Sequence, residues 1–124
     1  MSEELFSVGK YLNEFNTLTG QNLPCCEIFQ SSGLAVHVQK HHPDEVENLS
    51  LIPQIIACPD YVGKHPKKTD SVELVKVLNA NVMVCVKLDI QNGYHYVASV
   101  FSISNGKLQN RLKSGRLKKF LASE

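Results

Sequence analysis

Residues 81–119, which decide the fold, read NVMVCVKLDIQNGYHYVASVFSISNGKLQNRLKSGRLKK. Apolar and more polar side chains alternate from 82 to 89, as in a strand with one buried face. Residues 91–93 (Gln-Asn-Gly) follow, and Asn-Gly tolerates the positive φ of a tight turn. A second strand is expected over 94–103. The sequence therefore predicts an antiparallel hairpin with a basic segment behind it.

The amino-terminal part predicts helices. Ser2 can cap a first helix that ends at Gly20, and its apolar stripe is formed by Leu5, Val8, Leu12 and Phe15. Pro43 fits the first turn of a second helix, and Pro53 predicts a kink or two short helices there.

Further short elements complete the pattern. Strands are expected at 26–29, 34–38 and 71–78, and a short helix or turn is expected at 107–113. The predicted fold class is α+β, with N-terminal helices packed on a mainly antiparallel sheet. The chain has 124 residues and a hydrophobic content of 43%, which indicates a single domain over 1–124.

Composition bounds the class of protein. No apolar run is long enough to cross a bilayer, so no membrane association is expected. The acidic amino terminus lacks a basic start and an apolar block, which favours the cytoplasm, with delivery by a phage or a secretion system as an alternative. Cys25, Cys26, Cys58 and Cys85 have no C-x-x-C spacing and are expected to be buried reduced thiols.

Charge is unevenly distributed along the chain, although the net charge is only +1. Residues 1–60 carry two basic and eight acidic side chains, whereas residues 61–124 carry eleven basic and four acidic ones. This asymmetry favours an anionic ligand on one side of the molecule. Ordinary solvated charge is the alternative.

Three histidines lie close together in the first half, namely His37, His41 and His42. Imidazole exchanges a proton near neutral pH, so these side chains could serve a bound phosphate as acid or base. Capping or surface placement is an equally simple explanation. A zinc site is a third alternative, but no H-E-x-x-H pattern supports it.

The hairpin carries a second set of polar side chains. Alternation places Lys87 on the face of Cys85 and Asp89, where it either reaches solvent or serves a site. Ser99 on the partner strand could orient a phosphate oxygen. His95 shares the parity of Ser99, which predicts the same face if the alternation is unbroken.

The basic segment is the strongest candidate for anion binding. Arg111 and Arg116 offer planar guanidinium groups for phosphate, and the Ser114-Gly115 corner lets backbone amides approach an anion. A solvated tail is the alternative. Tyr96 could stack on a base, and the basic loop 64–68 could contact a nucleic-acid backbone.

Six stretches together resemble the phage-associated branch of the BECR ribonucleases, a superfamily named for barnase, EndoU, colicin and RelE-like toxins. These stretches, in order over about 34–120, are 40–43 (KHHP), 58–63 (CPDYVG), 71–76 (SVELVK), 86–89 (VKLD), 96–99 (YVAS) and 110–117 (NRLKSGRL). The resemblance implies helices on a four-stranded antiparallel sheet that bears an RNA cleft. It also implies metal-independent cleavage, in which a ribose 2′-OH attacks the adjacent phosphorus.

The resemblance also suggests roles for individual residues. His42 or His41 would act as acid or base, while Lys87 and either Arg111 or Arg116 would hold the phosphate, with Ser99 and Ser114 as polar support. Substrate binding would involve Arg111, Ser114, His37, His95 and Tyr96.

The leading hypothesis is an endoribonuclease that leaves 2′,3′-cyclic phosphate ends and acts as a toxin or as a phage or mobile-element effector. RNA, with tRNA among the candidates, is the expected substrate, and an immunity or antitoxin protein is the expected partner. No cofactor and no metal are expected. The alternative is a catalytically inactive module of a phage protein that binds nucleic acid or protein. The sequence gives no indication of the oligomeric state.

Overall fold

A computed structural model describes residues 4–121 as a single α+β domain built on one mixed sheet of seven strands. The strand order is β1-β2-β6-β5-β4-β3-β7. Only the β2–β6 pair is parallel among the strand pairs of this part of the chain. The strands are β1 (Leu5–Lys10), β2 (Glu27–Ser31), β3 (Tyr61–Gly63), β4 (Ser71–Val77), β5 (Asn81–Asp89), β6 (Tyr94–Ile103) and β7 (Leu117–Lys119).

The helices connect and cover these strands. They are α1 (Asn13–Thr19), α2 (Ser32–His41), a 3₁₀ helix over Pro43–Leu51, α3 (Ile52–Ala57) and α4 (Asn105–Ser114). The predicted break near Pro53 is confirmed, because the 3₁₀ segment changes to α3 directly before this proline. The predicted helix or turn at 107–113 is confirmed as α4, whose first turn is capped by the Ser104 side chain.

The central hairpin is confirmed. β5 pairs antiparallel with β6 from Asn81–Ile103 to Asp89–Tyr94, and β4 pairs antiparallel with β5 on the other side. The strand expected at 26–29 is present as β2. Alternation predicted β5 correctly because its apolar face packs on a core.

Two predicted elements are wrong. Residues 5–10 form the edge strand β1 instead of a helix, since their backbone hydrogen bonds pair with β2; Ser2 lies outside the described residues. Residues 34–38 lie in helix α2, which the Ser31 hydroxyl caps. Leu34 and Val38, one turn apart, are buried, whereas Val36 between them is 63% exposed. The alternation of Leu34, Val36 and Val38 therefore resembled a strand, although these residues form a helix.

The expected number of strands and their order are also corrected. The sheet has seven strands, not four, and β1 precedes the first helix. The missed strands β3 and β7 have three residues each, which is too short for a recognisable alternation. They extend the sheet beyond β4, where they help to position the carboxyl-terminal basic segment.

The two faces of the sheet are packed differently. The larger core lies on one face and includes Phe15, Ile55, Leu74, Val84 and Val97. A smaller cluster lies on the other face, where α4 contributes Leu108 and Leu112 beside Met83 and Phe101. Because α4 covers only part of this second face, the neighbouring part of the sheet is left open.

The remaining sequence expectations concern the cysteines and the membrane. All four cysteines are free, as expected, but the prediction of burial is wrong for Cys25 and Cys58, which are exposed, and Cys26 and Cys85 are only partly buried. None of the helices within residues 4–121 combines the length and apolar character required to span a bilayer.

Candidate active site

Three polar side chains form a row across the open face of the sheet. Glu73 of β4 pairs directly with Cys85 of β5, which pairs with Ser99 of β6. Residues directly opposite each other on neighbouring strands point to the same face. Two strand spacings, roughly 10 Å, separate the Glu73 and Ser99 positions. Lys87 lies two residues beyond Cys85 and so extends the same face.

A cleft of about 360 Å³ opens over this row. Four cationic side chains and a single carboxylate line it, together with one imidazole, which gives the cleft a strongly positive character. The lining residues are His65, Lys68, Glu73, Met83, Cys85, Lys87, Ala98, Ser99, Phe101, Arg111 and Arg116.

Arg116 and Glu73 form a bidentate ion pair at one side of the cleft. Arg116 Nε lies 2.9 Å from Glu73 Oε1, and Arg116 Nη2 lies 2.6 Å from Oε2. The hydrogen bond to Glu73 is the main reason why the pKa of Arg116 is raised. Glu73 is only 5% exposed, so the pair fixes a guanidinium at the wall of the cleft.

The chain around Arg116 is shaped by two glycines. Gly115 ends α4 in the left-handed conformation (φ 82°) and turns the chain toward β7. Gly63 of β3 lies directly beside the Arg116 backbone, where a Cβ atom would overlap the Arg116 carbonyl oxygen. The absence of a side chain at 63 therefore permits the close approach that places Arg116 over Glu73.

Arg111 and Lys87 are two of the cleft cations that remain available to a ligand. Arg111 extends from α4 and its Nη1 lies 3.4 Å from Met83 Sδ, which is a weak acceptor. Within residues 4–121, neither Arg111 nor Lys87 forms an ion pair with a carboxylate. Both side chains line the cleft, so their charges are free to act on an anion there.

The loop between β3 and β4 contributes His65. Its Nδ1 accepts a hydrogen bond from the backbone N–H of Lys67 at 3.1 Å. Burial, followed by the nearby charges of Arg116 and Lys68, lowers the pKa of His65. The imidazole of this loop is therefore held in its neutral form near neutral pH.

Cys85 occupies the middle of the polar row. Burial raises the pKa of its thiol, and the hydrogen bond from Ser99 acts in the opposite direction with a smaller effect. The protonated thiol is a poor nucleophile, since nucleophilic attack requires the thiolate. Cys85 is accordingly part of the floor of the cleft.

A bulge in β6 determines which side chains reach the cleft. Cys85 pairs with Ser99 and Val86 pairs with Val97, so Ala98 is an extra residue that shifts the alternation by one. Tyr96, opposite Lys87, consequently lies on the cleft face, although it does not line the cleft itself. His95 lies on the other face.

The predicted position of His95 is therefore wrong. It is 1% exposed within the larger core, where its ring stacks on Tyr11 with centroids 4.3 Å apart. Its Nε2 lies 2.7 Å from the carbonyl oxygen of Pro24, and burial lowers its pKa. The prediction from parity failed because the bulge at Ala98 is not visible in the sequence pattern.

The histidines of α2 border a second, smaller groove of about 130 Å³. His37 and His42 line this groove with Leu34 and Val38, and Ala98, Ser99 and Phe101 are shared with the cleft. His41 packs against His37, with ring centroids 4.8 Å apart, but does not line the groove. The predicted histidine cluster thus lies beside the cleft and meets it at Ser99.

Ser114 is placed differently from the other candidates. Its hydroxyl donates to the Arg111 carbonyl oxygen at 3.1 Å and accepts from the Arg116 backbone N–H at 3.4 Å. It closes the end of α4 outside the cleft lining, and so supports the backbone between the two arginines. Within residues 4–121, no three His, Cys, Asp or Glu side chains are grouped in a way that could hold a metal ion.

A comparison with models of protein families shows to which family the chain belongs. A family model described as phage-Barnase-EndoU-ColicinE5/D-RelE like nuclease3 matches residues 7–110. The chain belongs to this nuclease family. The match confirms the resemblance drawn from the sequence. No curated protein and no solved structure matches the nuclease.

The matched range contains most of the cleft but not all of it. His65, Glu73, Lys87 and Ser99 lie inside 7–110, whereas Arg111 and Arg116 lie beyond its carboxyl-terminal end. The two arginines are thus brought to the cleft by α4 and by the turn that connects it to β7.

Sequence reasoning did not name three charged or titratable groups of the cleft as site residues, namely Glu73, His65 and Lys68. Glu73 lies between Val72 and Leu74 in β4, and a carboxylate in such an apolar strand is a signal that could have been used. His65 was read only as part of a basic loop. Nothing in its local sequence shows that this loop folds over the sheet.

Proposed function

We propose that the nuclease is an endoribonuclease that cleaves RNA by metal-independent transesterification in the cationic cleft. The observation that carries the proposal is the convergence of free cations, a carboxylate and imidazoles around Ser99, from five separate parts of the chain. Family membership supports a nuclease in general. The choice of RNA and of this mechanism is our inference from the side chains of the site.

The cations would hold the scissile phosphate. Lys87 and Arg111 are free of carboxylate partners within residues 4–121, and Ser99 lies between them and the groove. Arg116 adds a fixed guanidinium at the opposite wall. Preorganised cations of this kind stabilise the extra negative charge that develops on phosphorus in the transition state. Tyr96, on the same face as Lys87, would stack on a neighbouring base.

Proton transfer would be divided between the two sides of Ser99. Glu73 is paired with Arg116 through both carboxylate oxygens, and each oxygen keeps a further lone pair able to accept a proton. His42 approaches from the groove on the other side. In-line displacement requires base and acid on opposite sides of phosphorus, and the positions of Glu73 and His42 on the two sides of Ser99 support this assignment.

The proposed reaction balances without a cofactor. Glu73 takes the proton of the ribose 2′-OH, and the 2′-oxygen forms a bond to phosphorus as the bond to the 5′-oxygen breaks. The protonated imidazole of His42 gives its proton to the departing 5′-oxygen. The products are a 2′,3′-cyclic phosphate end and a 5′-OH end. DNA lacks the 2′-OH and is therefore not cleaved.

The biological role that we infer is that of a toxin or an effector domain of a phage or mobile element. The phage-related description of the family supports this part of the proposal. Such a nuclease would act on RNA in the cytoplasm and would need an immunity or antitoxin protein in the cell that makes it. Co-expression with candidate acidic proteins encoded beside it would test that partner.

The direct test incubates the protein with mixed RNA in excess chelator and analyses the product ends by mass spectrometry. We expect 2′,3′-cyclic phosphate ends from RNA and no cleavage of DNA of the same sequence. Linear 3′-phosphate or 5′-phosphate ends formed without a cyclic intermediate would overturn the mechanism. Binding of RNA without any cleavage, across total RNA and tRNA, would indicate the inactive module instead.

Matched variants test the assignment of the proton-transfer groups. His42→Ala and Glu73→Gln should each reduce the cleavage rate by about 100-fold or more, since general acid–base catalysis contributes 10²–10⁴-fold. His41→Ala is the control, because His41 neighbours the same cluster but does not line the groove. Equal losses in His41→Ala and His42→Ala would remove the special role of His42.

A further inference from the structure

His65 differs from the other histidines of the chain in the way its ring is held. It lines the cleft, is partly buried, and its Nδ1 accepts the backbone N–H of Lys67 at 3.1 Å. A ring nitrogen that accepts a hydrogen bond carries no proton. The neutral ring therefore has its proton on Nε2, which leaves one N–H donor for a ligand.

The same contact opposes both proton-transfer roles. To act as a base, Nε2 would have to lose its proton to Nδ1, which would then face the Lys67 N–H as a second donor. Protonation of the ring creates the same donor–donor conflict at Nδ1. Either change breaks the hydrogen bond that holds the ring in this loop.

The cations that face His65 also favour its neutral form. Lys68, Arg111 and Arg116 are positive and favour the neutral ring, whereas Glu73 is the opposing charge and is already paired with Arg116. Lys87 and Cys85 complete the ionisable groups that line the cleft with it. Burial adds to the effect of the cations, and together they lower the pKa of His65.

We propose that His65 is a catalytic residue that stays neutral and donates its Nε2–H to a non-bridging oxygen of the scissile phosphate. This inference rests on the proposed function, because it assigns His65 a role in phosphodiester cleavage at the same cleft. Neutral imidazole acts as an electrophile in this way when its environment keeps it unprotonated. His65 thereby stabilises the developing charge but does not exchange a proton with the substrate.

The first test is a measurement that does not depend on activity. Long-range ¹H–¹⁵N NMR of the full chain with ¹⁵N-labelled histidine should show the Nε2–H form of His65. Its titration midpoint should lie below the ordinary value for histidine, about 6.5. With an uncleavable RNA dinucleotide carrying a 2′-methoxy group at the cut site, His65 should stay neutral at pH 7 and its Nε2–H signal should shift. An Nδ1–H form, or protonation on binding, would overturn the proposal.

The second test compares two substitutions by cleavage rate and by pH profile. His65→Gln keeps an N–H donor that can reach the Nε2 position but cannot transfer protons at neutral pH. It should retain activity within about tenfold of the unsubstituted protein, with the same pH profile. His65→Ala should lose about 100-fold or more, as removal of one preorganised donor does. Equal losses in both variants, with one limb of the pH profile missing, would show that His65 transfers a proton.

The two proposals can fail separately. If the unsubstituted protein cuts no RNA, the proposed function fails, and the NMR experiment still reports the form and titration of His65. If RNA is cut but His65 protonates on binding, only the present inference fails. Thermal melts of both variants, expected to match that of the unsubstituted protein, establish that rate losses do not reflect unfolding.

Discussion

The two faces of the central strands contrast sharply, although the same three strands build both. The packed face carries valines and leucines, with His95 buried against Tyr11. The open face carries Glu73, Cys85 and Ser99 in one row. A single extra residue, Ala98, decides on which face the histidine of β6 lies. Strand register, more than residue type, therefore determines which side chains lie on the open face.

The largest effect on stability and cleavage is expected from a substitution of Arg116, on the open face. Arg116→Ala removes a cation from the cleft and leaves the Glu73 carboxylate buried without its partner. We expect the free energy of unfolding to fall by about 3–5 kcal/mol, as for other broken buried pairs. Cleavage should fall by at least about 100-fold. Urea denaturation and initial cleavage rates measure the two effects.

The double variant Glu73→Met/Arg116→Met is the control for Arg116→Ala. Replacing both members of a buried pair by apolar residues is often neutral or stabilising, so this variant should recover much of the lost stability but none of the activity. If Arg116→Ala were as stable as the unsubstituted protein, the ion pair would contribute little to stability and Glu73 would reach solvent.

Arg111 tests whether the free cations of the open face bind the substrate. Arg111→Ala should lower the cleavage rate by about 100-fold. It should also reduce the salt dependence of RNA binding by roughly the contribution of one phosphate contact. Lys113→Ala, an exposed cation on the same helix but outside the cleft, is the matched control and should change neither quantity noticeably. Equal effects of both substitutions would indicate that general charge, not the cleft, governs binding.

A substitution of Gly63 tests how Arg116 is positioned on the open face. Gly63→Ala would place a Cβ against the Arg116 carbonyl oxygen, which the backbone cannot avoid without moving β7. We expect a loss of about 1–3 kcal/mol in stability, typical of an overpacked site, and a reduced cleavage rate. Gly106→Ala in α4 meets only the Ser104 hydroxyl at 4.0 Å and should be neutral or stabilising. A neutral Gly63→Ala variant would contradict the close approach of β3 and β7.

His95 tests the packed face, with the smallest expected effect. Because burial lowers its pKa, the unfolded chain binds more protons than the folded chain as the pH falls below about 6.5. The His95 ring therefore stabilises the fold less at pH 5.5 than at pH 7.5. Urea midpoints should fall more steeply with acidity in the unsubstituted protein than in His95→Gln. Identical slopes would place His95 in solvent, on the open face.

The sequence predicted those parts of the fold that local periodicity determines. β5 was recognised from alternation, β6 from the Asn-Gly turn before it, and the break before Pro53 from the missing backbone N–H of proline. Edge strand β1 and helix α2 were misread. The backbone partner of β1 lies in β2, more than fifteen residues away, and three apolar residues at 34, 36 and 38 suit either period.

The site was predictable only where the chemistry of a residue is evident from its type. Lys87, Ser99, Arg111 and Arg116 were named as candidates, and the structure brings them together in the cleft. Glu73 and His65 were missed, because their roles depend on the pairing of β4 with β5 and on the fold of one loop. Histidines adjacent in sequence were more conspicuous, yet they border the cleft from the neighbouring groove.

The most direct test of the account is a crystal structure of the protein with a short RNA that carries a 2′-methoxy group at the cut site. The account predicts one phosphate bound between Lys87, Arg111 and Ser99, with the modified 2′-oxygen on the Glu73 side and the 5′-oxygen on the His42 side. A phosphate bound elsewhere on the surface, with the cationic cleft left free of RNA, would contradict it.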